Sequence, residues 1–202
     1  PRYRSSAASD VYKRQLFAVW RKLDRSDLSC SIHPVGPGGE HFLKRGLIAR
    51  PVRGYHRVAA QGYVISRRKQ KLKAEWLGRG HEEIRLARMR GEEITDSVET
   101  PEVAFTGDSR IEILDKNPEM YLARVLMIEV TFIDEKVPVE RARRQGHIHL
   151  DEVIERADAF QNEAILFTHL SARYNPHEVE DVLAKRLPKR LKERVTLLHP
   201  PK

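Results

Sequence analysis

The chain has 202 residues, enough for one ordinary domain with a hydrophobic core. Lys and Arg outnumber Asp and Glu by 37 to 29, and the formal net charge of +8 favours a polyanionic partner, nucleic acid first, although a simple basic protein has the same balance. The only cysteine, Cys30, excludes an intrachain disulfide framework and a cysteine-rich zinc site, and no run approaches the ~18 apolar residues of a membrane span.

The opening segment differs in character from the remainder. The string SSAASDVYKRQ at 5–15 looks like the in-frame translation of a transposase sequencing adaptor. We therefore expect residues 1–15 to be a disordered read-through segment and the native sequence, cut upstream, to resume near Leu16. The alternative is a disordered native tail. Residues 16–202 remain basic under either interpretation.

The first part of residues 16–202 predicts a helix end followed by short strands. Residues 16–23 place apolar side chains at helical spacing, and PVGPGG at 34–39 is typical of a loop. Short strands are predicted around 40–44 and 47–49, and a β-prone stretch covers 60–66.

The charge-dense segment 67–90 is predicted to be a basic helical arm, which Gly78 and Gly80 divide. The simpler interpretation is a solvated helical hairpin that packs a few apolar residues. A more specific interpretation is an arm that faces RNA or a second copy of the chain.

Three near-continuous apolar runs follow and predict interior strands covered on both faces: 103–106, 125–130 and 165–167. Helices are predicted at 150–160 and at 176–187, where proline occupies the first turn, and a closing strand at 195–198. Because strands and helices alternate, the predicted fold class is α/β or α+β.

Side chains suited to metal binding or acid–base chemistry lie near the ends of the predicted strands. They are His56, Asp108, Glu129 and His169, with His147 just before a predicted helix. In α/β proteins, strand ends bring together side chains that are distant in sequence. Taken singly, each has an ordinary structural role, such as a turn for Asp108 or an ion pair for Glu129. Taken together, they indicate part of a metal-dependent enzyme.

A resemblance to a known family is carried by four segments in the family's order: YHRVAAQGYV (55–64), GEEITDSVETPEVAFTGDS (91–109), VLMIEVTFID (125–134) and GHIHLDEVIERADAFQNEAILFTHLSARY (146–174). Together they resemble ribonuclease Z, the zinc-dependent tRNA 3′-processing endonuclease of the metallo-β-lactamase superfamily, and look closest to its short plant-type form. The resemblance implies an αββα sandwich, incomplete at the N-terminus, of which residues 16–202 form a partial domain.

For the metal site, the resemblance implies two zinc ions per complete site. His56 would bind the first zinc, His169 the second, and Asp108 would bridge both. A zinc-bound hydroxide would attack the phosphodiester after the discriminator base of precursor tRNA.

For the remaining chemistry, the resemblance implies a proton donor and an RNA-binding loop. His147 would protonate the leaving oxygen, and Glu129 would orient its imidazole and favour its charged form. Ser171, Arg173 and Tyr174 would contact the RNA, with the guanidinium bound to a phosphate.

One departure from the family pattern is severe. The family's metal site also uses a His-x-His-x-Asp-His motif, which does not occur in these 202 residues. The three matching ligands make half of a two-zinc site, so we expect little activity from this chain alone. Two mild departures, Ser109 for threonine and Leu170 for phenylalanine, keep the hydroxyl and the apolar character.

The resemblance further implies precursor tRNA as substrate, a homodimer, and a cytoplasmic location with organellar or nuclear ones left open; no membrane partner is expected. Two alternatives remain. One is another metallo-β-lactamase-fold hydrolase, such as a cyclic-nucleotide phosphodiesterase, against which the SARY (171–174) and EVTF (129–132) segments argue. The other is a non-catalytic half-domain that binds tRNA or a partner subunit.

Overall fold

The computed structural model of the chain describes residues 7–25 and 33–198. These residues fall into two compact units, of which the first ends at Gly36 and contains helix α1 (Ala7–Asp24). Helix α1 includes residues 7–15, where disorder was predicted, because this stretch is rich in good helix formers and lacks proline and glycine. Across both described ranges, no helix has the length and apolar character needed to cross a membrane.

The second unit, Pro37–Lys202, contains one sheet of seven strands among its described residues. The strands are β1 (His41–Phe42), β2 (Leu47–Arg53), β3 (Gln61–Leu72), β4 (Thr95–Phe105), β5 (Val125–Glu129), β6 (Ala164–Thr168) and β7 (Val195–Leu197). The α-helices are α2 (His81–Met89), α3 (Glu112–Lys116), α4 (Glu119–Leu122), α5 (Val139–Gln145), α6 (Leu150–Glu155), α7 (Pro176–Arg186) and α8 (Lys189–Lys192). The mixed α/β class predicted from the sequence is confirmed.

The seven strands lie side by side in chain order. Strands β1 to β4 pair in antiparallel fashion, whereas β4 to β7 are parallel and are joined by crossovers that contain helices α3 to α8. Since such crossovers are right-handed and these all step in one direction, their helices cover the same face of the sheet. That face holds the main hydrophobic core.

The two faces of the parallel strands differ in burial. Leu126 of β5 and Phe167 of β6 have no exposed surface and belong to the main core together with residues of the helices. On the opposite face, Met127 and Leu166 are half-buried and Phe105 is 38% exposed. The prediction that these strands are covered on both faces is therefore wrong for the described residues of the second unit, in which helices α3 to α8 cover one face of the sheet.

The predicted helical arm at 67–90 is also corrected. Strand β3 continues to Leu72, paired with β4 down to Thr95, so only the part in α2 is α-helical. Two basic residues of β3 pair with acidic residues of β4: Arg67 Nε lies 2.8 Å from Glu102 Oε1, and Arg68 forms an ion pair with Glu99. Such cross-strand pairs stabilise an extended conformation in a segment whose charge density alone suggests a solvated helix.

Candidate active site at the carboxyl ends of the parallel strands

Three of the predicted site residues follow the carboxyl ends of adjacent parallel strands, and two come from neighbouring loops. Asp108 follows β4, Glu129 ends β5 and His169 follows β6, while His56 lies in the β2–β3 loop and His147 between α5 and α6. Strand β2 runs parallel to β4, since both are antiparallel to β3, so its loop opens at the same edge.

The structure brings these five side chains together. The imidazole centroids of His56 and His147 are 5.0 Å apart, and those of His147 and His169 are 5.2 Å apart and nearly stacked. Asp108 Oδ2 lies 3.5 Å from His169 Nε2, and His147 Nδ1 lies 2.9 Å from Glu129 Oε1. One cluster therefore contains three imidazoles and two carboxyl groups.

Glu129 is the buried centre of this cluster, with 1% of its surface exposed. Its Oε1 accepts a hydrogen bond from Ser109 N–H and faces His147 Nδ1, and its Oε2 accepts from the amide and the hydroxyl of Thr131. Four donors thus occupy the four lone-pair positions of a carboxylate, which compensates for its burial.

His147 is set up to carry a proton. The hydrogen bond to Glu129 raises the pKa of His147 above its usual range, and the charges of Glu129 and Asp108 add to this, while burial acts in the opposite direction. His149, its near neighbour, is buried and instead caps α6, since its Nδ1 accepts from Asp151 N–H. The two histidines therefore have different roles.

Ser109 and Gly146 hold the His56 loop in place. Ser109 Oγ accepts a hydrogen bond of 2.8 Å from Tyr55 N–H, the residue before His56. Gly146 has φ +92°, and a Cβ atom there would lie 2.7 Å from His56 Cδ2. Only glycine permits both this conformation and this close approach.

The proposed RNA-binding residues lie beyond His169. Arg173 Nε donates to Ser171 Oγ at 3.0 Å, and its guanidinium lies over the Phe132 ring at 5.5 Å. The hydroxyl of Tyr174 donates to Asp134 Oδ1 at 3.1 Å, and burial raises the pKa of Tyr174. Ser171 and Phe132 thus orient the guanidinium of Arg173, whereas the hydroxyl of Tyr174 already forms a hydrogen bond within the protein, to Asp134.

Thr131 was missed in the sequence. Its hydroxyl contacts both Glu129 Oε2, at 2.7 Å, and His169 Nδ1, at 2.9 Å. Its position two residues after Glu129 is a usable signal, because alternate residues of an extended chain share one side. The roles of Ser109 and Gly146 in positioning Tyr55 and His56 were missed too.

The side chains of this cluster include the ligand types that bind metal ions. Not every residue in the cluster is a suitable ligand, however. Within the described residues, Glu129, His147 and His169 offer ligand atoms within 4.8 Å of one another. Glu129 is a poor ligand because its oxygens already accept four hydrogen bonds. Asp108 and His169, with side chains 48% and 45% exposed, present oxygen and nitrogen donor atoms of the kinds that zinc prefers.

Two plant proteins are similar to this chain in sequence. The chain is 42% identical over 185 residues to tRNase Z TRZ1 of Arabidopsis thaliana, covering 91% of this chain and 66% of that protein. It is 34% identical over 182 residues to tRNase Z TRZ2, chloroplastic, of the same plant, covering 89% and 51%. The chain thus spans less than two thirds of either relative. A search of family models found no match.

Among solved structures, the chain resembles the metallo-beta-lactamase fold protein YhfI from Bacillus subtilis. The TM-score is 0.52, with 13% identity over 90% of this chain and 59% of that one, a likeness that concerns the fold alone. The sequence identity to the two plant proteins assigns the family. The chain belongs to the tRNase Z family.

Proposed function

We propose that this chain carries the downstream part of the active site of an endoribonuclease that removes the 3′ trailer of precursor tRNA. The observation that supports this most is the Glu129–His147 pair, 2.9 Å apart, beside the Asp108 and His169 donor atoms. A proton donor next to a metal-binding set suits metal-assisted hydrolysis of a phosphodiester. The relatives named tRNase Z supply the substrate class.

In the proposed reaction, His147 protonates the ribose 3′-oxygen as it leaves. Its Nδ1–H donates to Glu129, so Nε2 is the nitrogen that holds the transferable proton. The raised pKa of His147 favours the form that carries this proton, and general acid catalysis of this kind contributes about 10²–10⁴-fold.

His56, Asp108 and His169 would hold zinc. In this structure His56 Nδ1 accepts a hydrogen bond from the Val58 amide at 3.3 Å, so metal binding through His56 Nε2 would require the ring to give up this contact. When bound, zinc supplies an activated hydroxide and stabilises charge that develops on the phosphate. Arg173 binds a substrate phosphate with the guanidinium nitrogens that Ser171 does not use, and Ser171 and Tyr174 complete that surface.

The activity test uses a graft. The matching 185 residues of this chain replace those of the Arabidopsis relative, and the purified hybrid is given end-labelled precursor tRNA and, separately, a chromogenic phosphodiester. Cleavage of the tRNA after the discriminator base supports the proposal. Cleavage of the chromogenic ester alone would indicate another hydrolase, and tRNA binding without cleavage a non-catalytic half-domain.

His147→Ala in the hybrid separates a proton donor from a ligand. We expect turnover to fall by about 10²–10⁴-fold while zinc content stays normal. Loss of zinc would instead make His147 a ligand. The matched control is His81→Ala, because His81 is an exposed histidine in α2.

We also propose that the 202-residue chain by itself has little activity. Its three ligand residues are too few for two zinc ions, each of which takes about four ligands. Metal analysis of the purified chain checks this, and two tightly held zinc ions with turnover would contradict it. Homodimerisation and a cytoplasmic location remain part of the proposal, with an organellar location beside it because one relative is named chloroplastic.

A further inference from the structure

We infer that the hydroxyl of Thr131 is a positioning group that fixes the proton of His169 on Nδ1 and keeps Nε2 as an electron-pair donor. Thr131 is 6% exposed and lies between Glu129 and His169. That Nε2 serves a metal rests on the proposed function; the placement of the proton does not.

The direction of the hydrogen bonds follows from counting protons. A threonine hydroxyl has one hydrogen, and an ionised carboxylate has none. Glu129 Oε2 lies 2.7 Å from Thr131 Oγ1 and can only accept, so the hydroxyl hydrogen points to Glu129. A lone pair of Oγ1 then faces His169 Nδ1 at 2.9 Å, and only an N–H can occupy that contact.

The opposite arrangement is disfavoured by burial. If Thr131 donated to His169, its oxygen would present a lone pair to Glu129 Oε2 at 2.7 Å. Two acceptors would then face each other around a carboxylate that is 1% exposed, without water to replace the lost donor. The site therefore favours one tautomer of His169.

On the other side of the ring, His169 Nε2 lies 3.5 Å from Asp108 Oδ2, and both side chains are nearly half exposed to solvent. His169 also has φ +57°, a left-handed conformation that is uncommon for residues other than glycine and is found where a side chain must be aimed.

One buried carboxylate thus orients two histidines. Glu129 Oε1 fixes His147 directly, and Glu129 Oε2 fixes His169 through Thr131. Both rings keep their hydrogen on Nδ1 and present Nε2 to the open side of the site. Partners of this kind set the tautomer and the basicity of metal-binding histidines in general.

The test is a long-range ¹H–¹⁵N spectrum of the metal-free, ¹⁵N-histidine-labelled 202-residue chain at about pH 8.5, about two units above the ordinary imidazole pKa. We expect His169 to be the Nδ1–H tautomer. Thr131→Val, of equal shape, should give a mixture or the Nε2–H form, and Thr131→Ser should restore the wild-type pattern. Thr168→Val is the matched control, since its hydroxyl contacts Ile128 O rather than an imidazole.

His149 is an internal reference for folding. Its Nε2 donates to Asp134 O and its Nδ1 accepts from Asp151 N–H, so it should show the opposite tautomer in every folded variant. An Nε2–H tautomer of His169 in the wild-type chain would overturn the inference, as would an unchanged His169 in a folded Thr131→Val variant. If Thr131→Val does not fold, the wild-type and serine spectra still decide. Because no cleavage is measured, a negative result in this NMR test leaves the proposed nuclease function standing. A negative cleavage assay likewise leaves the inferred tautomer of His169 standing.

Discussion

At the scale of single residues, Gly146 determines how closely His56 approaches His147. A Cβ atom at Gly146 would lie 2.7 Å from His56 Cδ2 and 3.0 Å from the amide nitrogen of Arg57. We expect Gly146→Ala to lower the free energy of unfolding by about 2 kcal/mol, through left-handed strain and this clash, and to displace the His56 ring signal. Urea unfolding and NMR measure the two effects.

Gly91→Ala is the control for that substitution. Gly91 also has a positive φ, +78°, but a Cβ atom there would meet nothing within 4 Å. Gly91→Ala should lose stability only through the left-handed backbone strain, and it should leave the His56 ring signal unchanged. Equal losses of stability for the two variants would contradict a packing role for Gly146.

The protonation of His147 gives a pH-dependent prediction. Glu129 raises the pKa of His147 in the folded chain above the unfolded value of about 6.5. The resulting stability is present below that unfolded value and is lost as the pH rises through the folded pKa. The loss of unfolding free energy in His147→Gln should therefore be larger at about pH 5.5 than at about pH 9.

Denaturant unfolding at both pH values checks this prediction, with exposed His81→Gln as the control for general titration effects. Glu129→Gln provides a second check, because removing the charge should lower the pKa of His147 in an NMR titration. An unchanged pKa in Glu129→Gln would contradict the assigned cause.

The sequence predicted the chemical groups of the site but not the residues that position them. Histidine and carboxylate residues at strand ends are informative by type alone, and the structure brings all five together. The residue type of Gly146 or Thr131 is not informative by itself, because their roles depend on contacts with His56 and His169 from distant segments, and only the spacing of Thr131 from Glu129 hints at its role. Ser109 was noted only as keeping a hydroxyl, whereas it binds the Tyr55 amide.

At the scale of elements, the tip of the β3–β4 hairpin has a small core of its own. Trp76, Ala87 and Ile94 are buried there, with Leu72 and Ile84 packed against them. Because this cluster is separate from the main core, we expect Trp76→Ala to unfold the tip alone. Truncation of a buried tryptophan costs about 3–5 kcal/mol, and Trp76 is the largest side chain of this cluster.

Hydrogen exchange tests the independence of the tip. In Trp76→Ala, amides of α2 should lose protection while those of β5 and β6 keep it. Leu77→Ala is the control, since Leu77 is a neighbouring residue that is 66% exposed. Loss of protection in β5 would contradict a separate folding unit.

The same hairpin explains why the arm was predicted as a helix. Its glycines and charges favour a solvated segment, but the extension of β3 to Leu72 depends on partners in β4 that lie about thirty residues later. The strand β6 and the helix α7, by contrast, were predicted from local pattern, since an apolar run and an N-terminal proline act within each element.

At the scale of the whole seven-stranded unit, the dominant feature is the difference between the two faces of the sheet. Leu126 and Met127 are adjacent in β5 and point to opposite faces, one with no exposed surface and one half-buried. An apolar sheet face in contact with solvent is a surface that other chains can use. Truncation of the fully buried Leu126 should therefore lower the free energy of unfolding more than truncation of the half-buried Met127.

We expect Leu126→Ala to destabilise the chain by about 2–5 kcal/mol, because it opens a cavity in the main core. Met127→Ala should cost about 1 kcal/mol, since its side chain loses less buried surface. Both changes replace a strand residue by alanine, so differences in β-propensity largely cancel, and urea unfolding of the two variants measures the contrast. Equal large losses would contradict a half-open face and would mean that Met127 is covered in solution; an unfolding midpoint that rises with protein concentration would then identify a second copy as the cover.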